Sequence, residues 1–164
     1  VKTNQQDLFE SLHSDYFAMV MQMCLGFSQG DTNKASDLTQ EVFIKVWTHL
    51  DSFKGLSSYK TWIYRITVNT CLQLIKKEKK KTAVPIEVVQ HRLTTEPKTE
   101  QSEARARLYH AIGQLNKVDR LVIMMVLEGQ EYEDIADVLG IQPTNLRVKI
   151  HRIKKRLKNI LEHE

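Results

Sequence analysis

The chain has 164 residues and a mass of 19.1 kDa, room for one ordinary domain or two small ones and too little for a large enzyme. Hydrophobic residues at 41% and charged residues at 27% exclude a fully disordered chain. The apolar runs, such as Leu121–Leu127, fall far short of the roughly 20 residues that cross a bilayer, and the first residues lack the basic-then-apolar order of a secretory signal. A cytoplasmic protein without direct membrane insertion is expected. Cys24 and Cys71 stand far apart, and His13, His49, His91, His110, His151 and His163 share no ligand spacing. Neither a disulfide framework nor a metal site is expected, and no cofactor. Phosphate-cradling glycine loops and nucleophile motifs are missing from the sequence, so no catalytic residue is assigned.

Net charge is +4 with a pI near 9.0, and the basic residues are concentrated. Lys76–Lys81 holds five lysines and one glutamate, and Thr144–Lys158 holds seven Lys/Arg and no acid. The rest is net acidic. That distribution suits a protein that meets polyanions at two places, although a lysine-rich last turn also complements a helix dipole.

Helical periodicity runs through almost every informative window, and no stretch alternates as a half-buried strand does. An all-α chain is expected. Leu8, Leu12, Tyr16, Met19, Val20 and Met23 recur in steps of three and four over 5–27, which places one apolar stripe on a first helix ended by Gly26 and Gly30. Asp31 is the expected cap of a second helix carrying Leu38, Val42, Phe43, Val46, Trp47 and Leu50. After a loop over 51–58, Ser57 or Ser58 caps a third helix that runs to about Lys80, with Trp62, Ile63, Ile66, Thr70 and Ile75 facing inward.

Between Lys81 and Glu100 the periodicity fades and Pro85 and Pro97 interrupt the chain, the pattern of a flexible linker. Four further helices are predicted at 104–115, 118–128, 132–139 and 143–161, separated at Asn116, Gly129 and Gly140. The expected organisation is a helical domain over 1–81, a linker over 82–100 and a second helical domain over 101–164, each with an independent core.

The strongest local pattern is EDIADVLGIQPTNLRVKIHRIKKRL, Glu133–Leu157. A helix-turn-helix needs a small residue where its helices meet, a residue that tolerates the turn, and apolar positions that lock the second helix. Ala136, Gly140 and the set Ile135, Leu139, Ile141, Leu146 and Ile150 meet those needs. Pro143 suits the first turn, where its missing N–H would be unpaired anyway. With Leu146, Ile150, Ile153 and Leu157 buried, the basic residues spread over the other faces. Thr144, Asn145, Arg147 and Val148 lie at the end that reads base edges, while Lys149, His151, Arg152 and Lys155 follow along the helix, its later lysines suited to phosphates.

The N-terminal half is more specific. DLTQEVFIKVW, Asp37–Trp47, then a loop with Phe53 and Gly55, then TWIYRITVNTCLQLIKKEKKK, Thr61–Lys81, resembles conserved region two of bacterial sigma factors of the extracytoplasmic-function class. The C-terminal half resembles region four of the same class, so the likeness covers nearly the whole chain in the right order. On that resemblance, Asp37, Gln40, Glu41 and Phe43 fall where the family grips the clamp helices of the largest polymerase subunit. Trp62, Tyr64, Arg65 and Asn69 fall where it melts and reads the −10 element, with Lys76 and Lys77 at a phosphate-binding helix end. Without the family, the Trp62 ring reads as a core residue. The helix-turn-helix residues named above would read the −35 element. An anti-sigma partner is a further expectation of the resemblance.

Some positions depart from the pattern. A proline is common near Asn116, in a leucine-proline turn before the paired helices; Gln73 stands where an acid is frequent and Ile153 where a smaller residue is usual, Thr144–Asn145 replaces Gly-Thr, and lysines replace arginines at the end of the third helix. Lysine is a poorer bidentate reader of guanine than arginine but a sufficient phosphate contact. Two functions compete. A monomeric initiation subunit would bind core RNA polymerase and promoter DNA, whereas a one-component regulator would bind a palindromic operator as a dimer without polymerase. The two basic patches and the single helix-turn-helix favour the first.

Overall fold

A computed structural model describes residues 2–80 and 99–163. The described residues form seven α-helices and one short 3₁₀ turn and contain no strand: α1 Lys2–Phe27, α2 Thr32–His49, the 3₁₀ turn Leu50–Ser52, α3 Tyr59–Lys80, α4 Glu100–Gly113, α5 Lys117–Leu127, α6 Tyr132–Leu139 and α7 Pro143–Glu162. The linker predicted over 82–100 lies mostly outside the described residues. Its last two residues belong to α4, because the Thr99 side chain accepts from the Ser102 N–H while the Ser102 hydroxyl accepts from the Thr99 N–H.

The predicted caps form. Asp31 Oδ1 accepts from the N–H groups of Asn33 and Lys34 at 3.1 Å each, and Ser58 Oγ accepts from the Thr61 N–H at 3.1 Å. Between them α2 buries Ala35, Leu38, Thr39, Val42, Phe43 and Val46, and α3 buries Ile63, Tyr64, Thr67, Val68, Thr70, Cys71 and Ile75. α1 lies against both. Cys24 and Cys71, distant in sequence, are both buried as free thiols in this core; interaction with Cys24, then burial, push the Cys71 thiol up.

Two expectations need correction. Gly26 does not end α1; the helix runs to Phe27, and the Gly30 N–H closes the turn on the Leu25 carbonyl at 2.8 Å. Gly26 is instead where α5 approaches: a Cβ there would overlap the thioether of Met124. Nor are the two cores independent. One continuous apolar cluster runs from Leu12 and Met23 of α1 through Leu121, Met124 and Met125 of α5 to Leu146 and Leu157 of α7. α5 is apolar on nearly every side, with Leu121–Met125 all buried, so it packs on α1 as well as on its own neighbours.

Polar contacts reinforce that junction. The Arg120 guanidinium donates to the carbonyl of Leu115 at 3.0 Å, of Gly113 at 2.9 Å and of Phe27 at 3.2 Å, and Gln29 Nε2 donates to the Gly113 carbonyl at 2.6 Å. One arginine thereby satisfies carbonyls at the ends of α4 and α1 together. Burial draws its pKa down, while Glu78 acts in the opposite sense.

Candidate nucleic-acid and partner interface

The helix-turn-helix forms as its residues predict. α6 stops at Gly140, whose φ of 68° and ψ of 33° lie in the left-handed region, and the Ile141 N–H returns to the Ala136 carbonyl at 3.0 Å. Only a residue without a Cβ adopts that turn at no steric cost. Ile135 and Ala136 of α6 and Leu146, Ile150, Ile153 and Leu157 of α7 are buried against each other and α5. That packing leaves Thr144, Asn145, Arg147, Val148, His151, Arg152 and Lys155 exposed. Val148, 51% exposed, is an apolar group on an otherwise polar face, suited to a thymine methyl.

Lys149 differs from its neighbours. It is half-buried, and its ammonium lies 2.8 Å from Asp119 Oδ1 of α5. Asn116 supplies the other end of that carboxylate: its Nδ2 donates to Asp119 Oδ2 at 3.0 Å, while its Oδ1 caps α5 by accepting from the Asp119 N–H at 2.9 Å.

On α3, Trp62, Arg65, Asn69, Gln73 and Lys76 follow in steps of three and four and share one stripe. Asn69, Lys76 and Lys77 are exposed, and Arg65 is partly so. Tyr64 is off the stripe. It is 2% exposed and its hydroxyl meets Met23 Sδ at 3.2 Å, so no ring face is open to a base, and burial pushes its phenol well above the usual range. Its reading as a −10 contact is corrected to that of a core residue. Trp62 is half-buried, 5.1 Å from the Phe53 ring, which itself stacks on Tyr59 at 4.4 Å. Its ring is therefore held mainly by the protein, at the edge of a loop whose Lys54 and Leu56 are exposed.

On α2, Asp37, Gln40 and Glu41 are exposed on one face, opposite the buried Leu38, Val42 and Val46. Glu41 pairs with Lys45 at 3.4 Å, and Lys45 donates onward to Gln73 Oε1 at 2.9 Å and Thr70 Oγ1 at 3.2 Å. Gln73 thus ties α3 to α2. Phe43 is 4% exposed beneath Phe9, His13 and Phe17, so its reading as a partner contact is corrected: its ring is core. The same face carries Ile44, 65% exposed, and Trp47, 42% exposed; Trp47 shares the apolar spacing of α2 but points half into solvent, against Phe9.

The two halves meet across this surface. Arg65 Nη2 on α3 lies 3.0 Å from Asp137 Oδ2 on α6, and Lys117 of α5 pairs with Glu78 of α3. Sequence spacing gave no sign of either pair, nor of Arg120, whose partners are backbone carbonyls.

The family description "Sigma-70 region 2" matches residues 8–81, and "Sigma-70, region 4" matches residues 105–157. The chain belongs to the sigma-70 family. Among relatives, it is 25% identical to the ECF RNA polymerase sigma factor SigW of Bacillus subtilis (strain 168), over 98% of this chain and 92% of that one. It is 29% identical to the ECF RNA polymerase sigma-E factor of Haemophilus influenzae, over 79% and 76%. Among solved structures, the sigma factor RpoE in complex with the anti-sigma factor NepR from Bartonella quintana superposes with a TM-score of 0.75, covering 99% of this chain and 98% of that one at 24% identity. CnrH in complex with the cytosolic domain of CnrY gives 0.69 at 20% identity, over 97% and 90%. These two likenesses concern the fold.

Within this sigma-factor chain, region 2 matches α1–α3 and region 4 matches α4–α7 up to Leu157. The family-departing Asn116 keeps the entry to region 4 intact by capping α5 with its side chain, a task the amide performs and a proline could not. Ile153 is accommodated at 2% exposure. No described helix is long and apolar enough to cross a membrane, and no group of His, Cys, Asp and Glu among the described residues has metal-site geometry.

Proposed function

We propose that this protein is a dissociable initiation factor that joins core RNA polymerase and directs it to promoters bearing its −10 and −35 elements. In this reading residues 1–81 dock on polymerase and open the −10 region, 82–100 connect, and 101–164 hold the −35 duplex, with the first turn of α4 reaching back to Glu100. Asp37, Gln40 and Glu41 meet the clamp helices of the largest subunit, a carboxylate and amide face against a basic partner. Arg65, Lys76 and Lys77 hold phosphates, Asn69 reads an extruded base, and the edge of Trp62 supports it. Thr144, Asn145, Arg147, Val148, His151, Arg152 and Lys155 face the −35 duplex. The protein acts as a monomer in the cytoplasm, with no catalytic chemistry of its own: base capture offsets lost stacking.

The observation that carries this reading is the presence, in one chain, of an α3 stripe running from Arg65 through Asn69 to Lys76 and a recognition helix with an exposed, acid-free N-terminal half. Elements at −10 and −35 are about 25 base pairs apart, or about 85 Å at about 3.4 Å per pair. Arg65 and Asp137 are 3.0 Å apart. We infer that the halves part when both elements are engaged. The chain between Lys80 and Thr99 reaches at most about 68 Å, and the breadth of the two helical sets supplies the rest. Once one half is bound, the other binds as an intramolecular event, so two weak contacts act as one selective contact. Because one neighbour in the fold, the sigma factor RpoE, is in complex with an anti-sigma factor, we further infer an anti-sigma partner for the joined form.

Run-off transcription with core polymerase and a randomised promoter library is the test. Selective transcripts that depend on this chain, and that disappear with Glu41→Ala or Asn69→Ala, are expected. Tight operator binding by a dimer without polymerase, and no stimulated transcript, would point to a one-component regulator and overturn the proposal.

A further inference from the structure

We propose that Asp119, which lies outside the helix-turn-helix, is a positioning residue for −35 recognition and acts by holding Lys149 of the recognition helix. This rests on the reading of region 4 as the −35 module. It also reassigns Lys149, which its place on a basic helix marks as a DNA contact, to an internal strut.

Three observations converge on Asp119. Its side chain is 15% exposed, and Oδ1 is shielded from solvent with no hydrogen-bond donor aligned on it among the described residues. The Lys149 ammonium at 2.8 Å is what compensates that oxygen. A carboxylate withdrawn from water demands a counter-charge, so Lys149 is held where Asp119 needs it. The other oxygen is fixed by Asn116 Nδ2 at 3.0 Å, and Asn116 is itself fixed as the α5 cap. A chain of contacts thus runs from the start of α5 through Asp119 to the second turn of α7.

The surroundings give that chain leverage. Asp119, Asn145, Val148, Lys149, Arg152 and Arg156 border a groove of about 560 Å³ beside α7, with Ile153 at its floor. α7 therefore does not lie flush against α5 along this side. Arg156 supplies a second tie further along, its Nη2 donating to the Gln114 carbonyl at 3.4 Å. Across the gap the Asp119–Lys149 bridge sets how far the N-terminal half of α7, with Thr144, Asn145, Arg147 and Val148, stands away from the rest of region 4. Asn116 keeps the carboxylate in this orientation by holding Oδ2 while Oδ1 faces Lys149.

The experiment uses the full chain assembled with core polymerase on a promoter library, with the −35 bases randomised and with a salt series on a selected promoter. If the unsubstituted chain selects no promoter, the reading of function fails and the positioning proposal falls with it. If it selects, Asp119→Asn and Lys149→Met are each expected to lower −35 selectivity about tenfold. The Asp119→Asn, Lys149→Met pair should lose no more than either single variant, because each substitution removes the same bridge. Lys149→Arg, which keeps the pair, should retain the original base preference. Asp119→Asn alone should steepen the salt dependence by about one unit, since the released Lys149 becomes free to meet a phosphate. Independent losses in the double variant, or a salt slope reduced by about one unit with Lys149→Met and unmoved by Asp119→Asn, would make Lys149 an ordinary phosphate contact and overturn the proposal. Thermal melts of each variant separate loss of folding from loss of positioning.

Discussion

Gly26 of α1 and Met124 of α5 touch where region 2 and region 4 meet, and the missing side chain of the first makes room for the thioether of the second. Any larger residue at position 26 would force the Met124 thioether to move. Gly26→Ala is expected to cost about 1–3 kcal/mol, the usual penalty for an extra group in a packed interior. Part of that penalty is expected to appear as separation of the halves, read as a larger radius in small-angle scattering. Adding Met124→Ala should recover part of the compact form by emptying the space. An unchanged radius in Gly26→Ala would mean that this contact does not hold the halves together.

The Arg65–Asp137 pair should matter little to stability and much to function. Its side chains are 42% and 67% exposed, where an ion pair contributes at most about 1 kcal/mol, and Arg65 Nε has no acceptor among the described residues. Asp137→Asn should therefore leave the denaturation midpoint nearly unchanged. Arg65→Ala should also be mild in a melt, yet reduce permanganate-detected promoter opening at least severalfold, because it removes a phosphate contact from the α3 stripe. Equal opening by the Arg65 variant and the unsubstituted chain would remove that residue from the −10 surface.

Tyr64 and Asn69 provide a contrast along one helix. Tyr64→Ala is expected to destabilise the protein by about 3–5 kcal/mol, as emptying a buried aromatic site does. Tyr64→Phe loses only the contact to Met23 Sδ and should keep promoter usage, at a cost of about 1 kcal/mol. Asn69→Ala, at an exposed position, should stay within about 0.5 kcal/mol in stability while abolishing selective run-off transcripts. Chemical denaturation beside transcription assays reads both quantities; a Tyr64→Phe chain that folds normally but opens no promoter would restore Tyr64 as a DNA contact.

Gly140→Ala tests the turn between α6 and α7. At φ 68° an added Cβ costs about 1–2 kcal/mol, and the strain falls where α7 leaves the turn. Promoters with a strong −35 element should lose more transcription than those that rely on −10. A melt unchanged from the original chain would show that the turn relaxes to another geometry.

The sequence by itself determined the elements. Apolar spacing gave the seven helices to within a few residues, Asp31 and Ser58 were legible as caps, and the Ala136, Gly140, Leu146 and Ile150 set determined the helix-turn-helix, because these depend on residues within a turn or two of one another. Local periodicity also placed Asp37, Gln40 and Glu41 opposite the core positions of α2. It failed where a residue's surroundings come from another helix. Phe43 and Tyr64 occupy motif positions that resemble contact residues, yet neighbouring helices cover them; Trp47 has core spacing, yet α1 covers only part of its ring. Tertiary structure alone decided that Gly26 is a contact rather than a terminator, that Arg120 serves three carbonyls from both halves, and that Lys149 faces a carboxylate. Those partners lie 5 to 98 positions away in the chain. Charge and packing at the longer separations are set only when the helices meet, and no local pattern records which faces will do so.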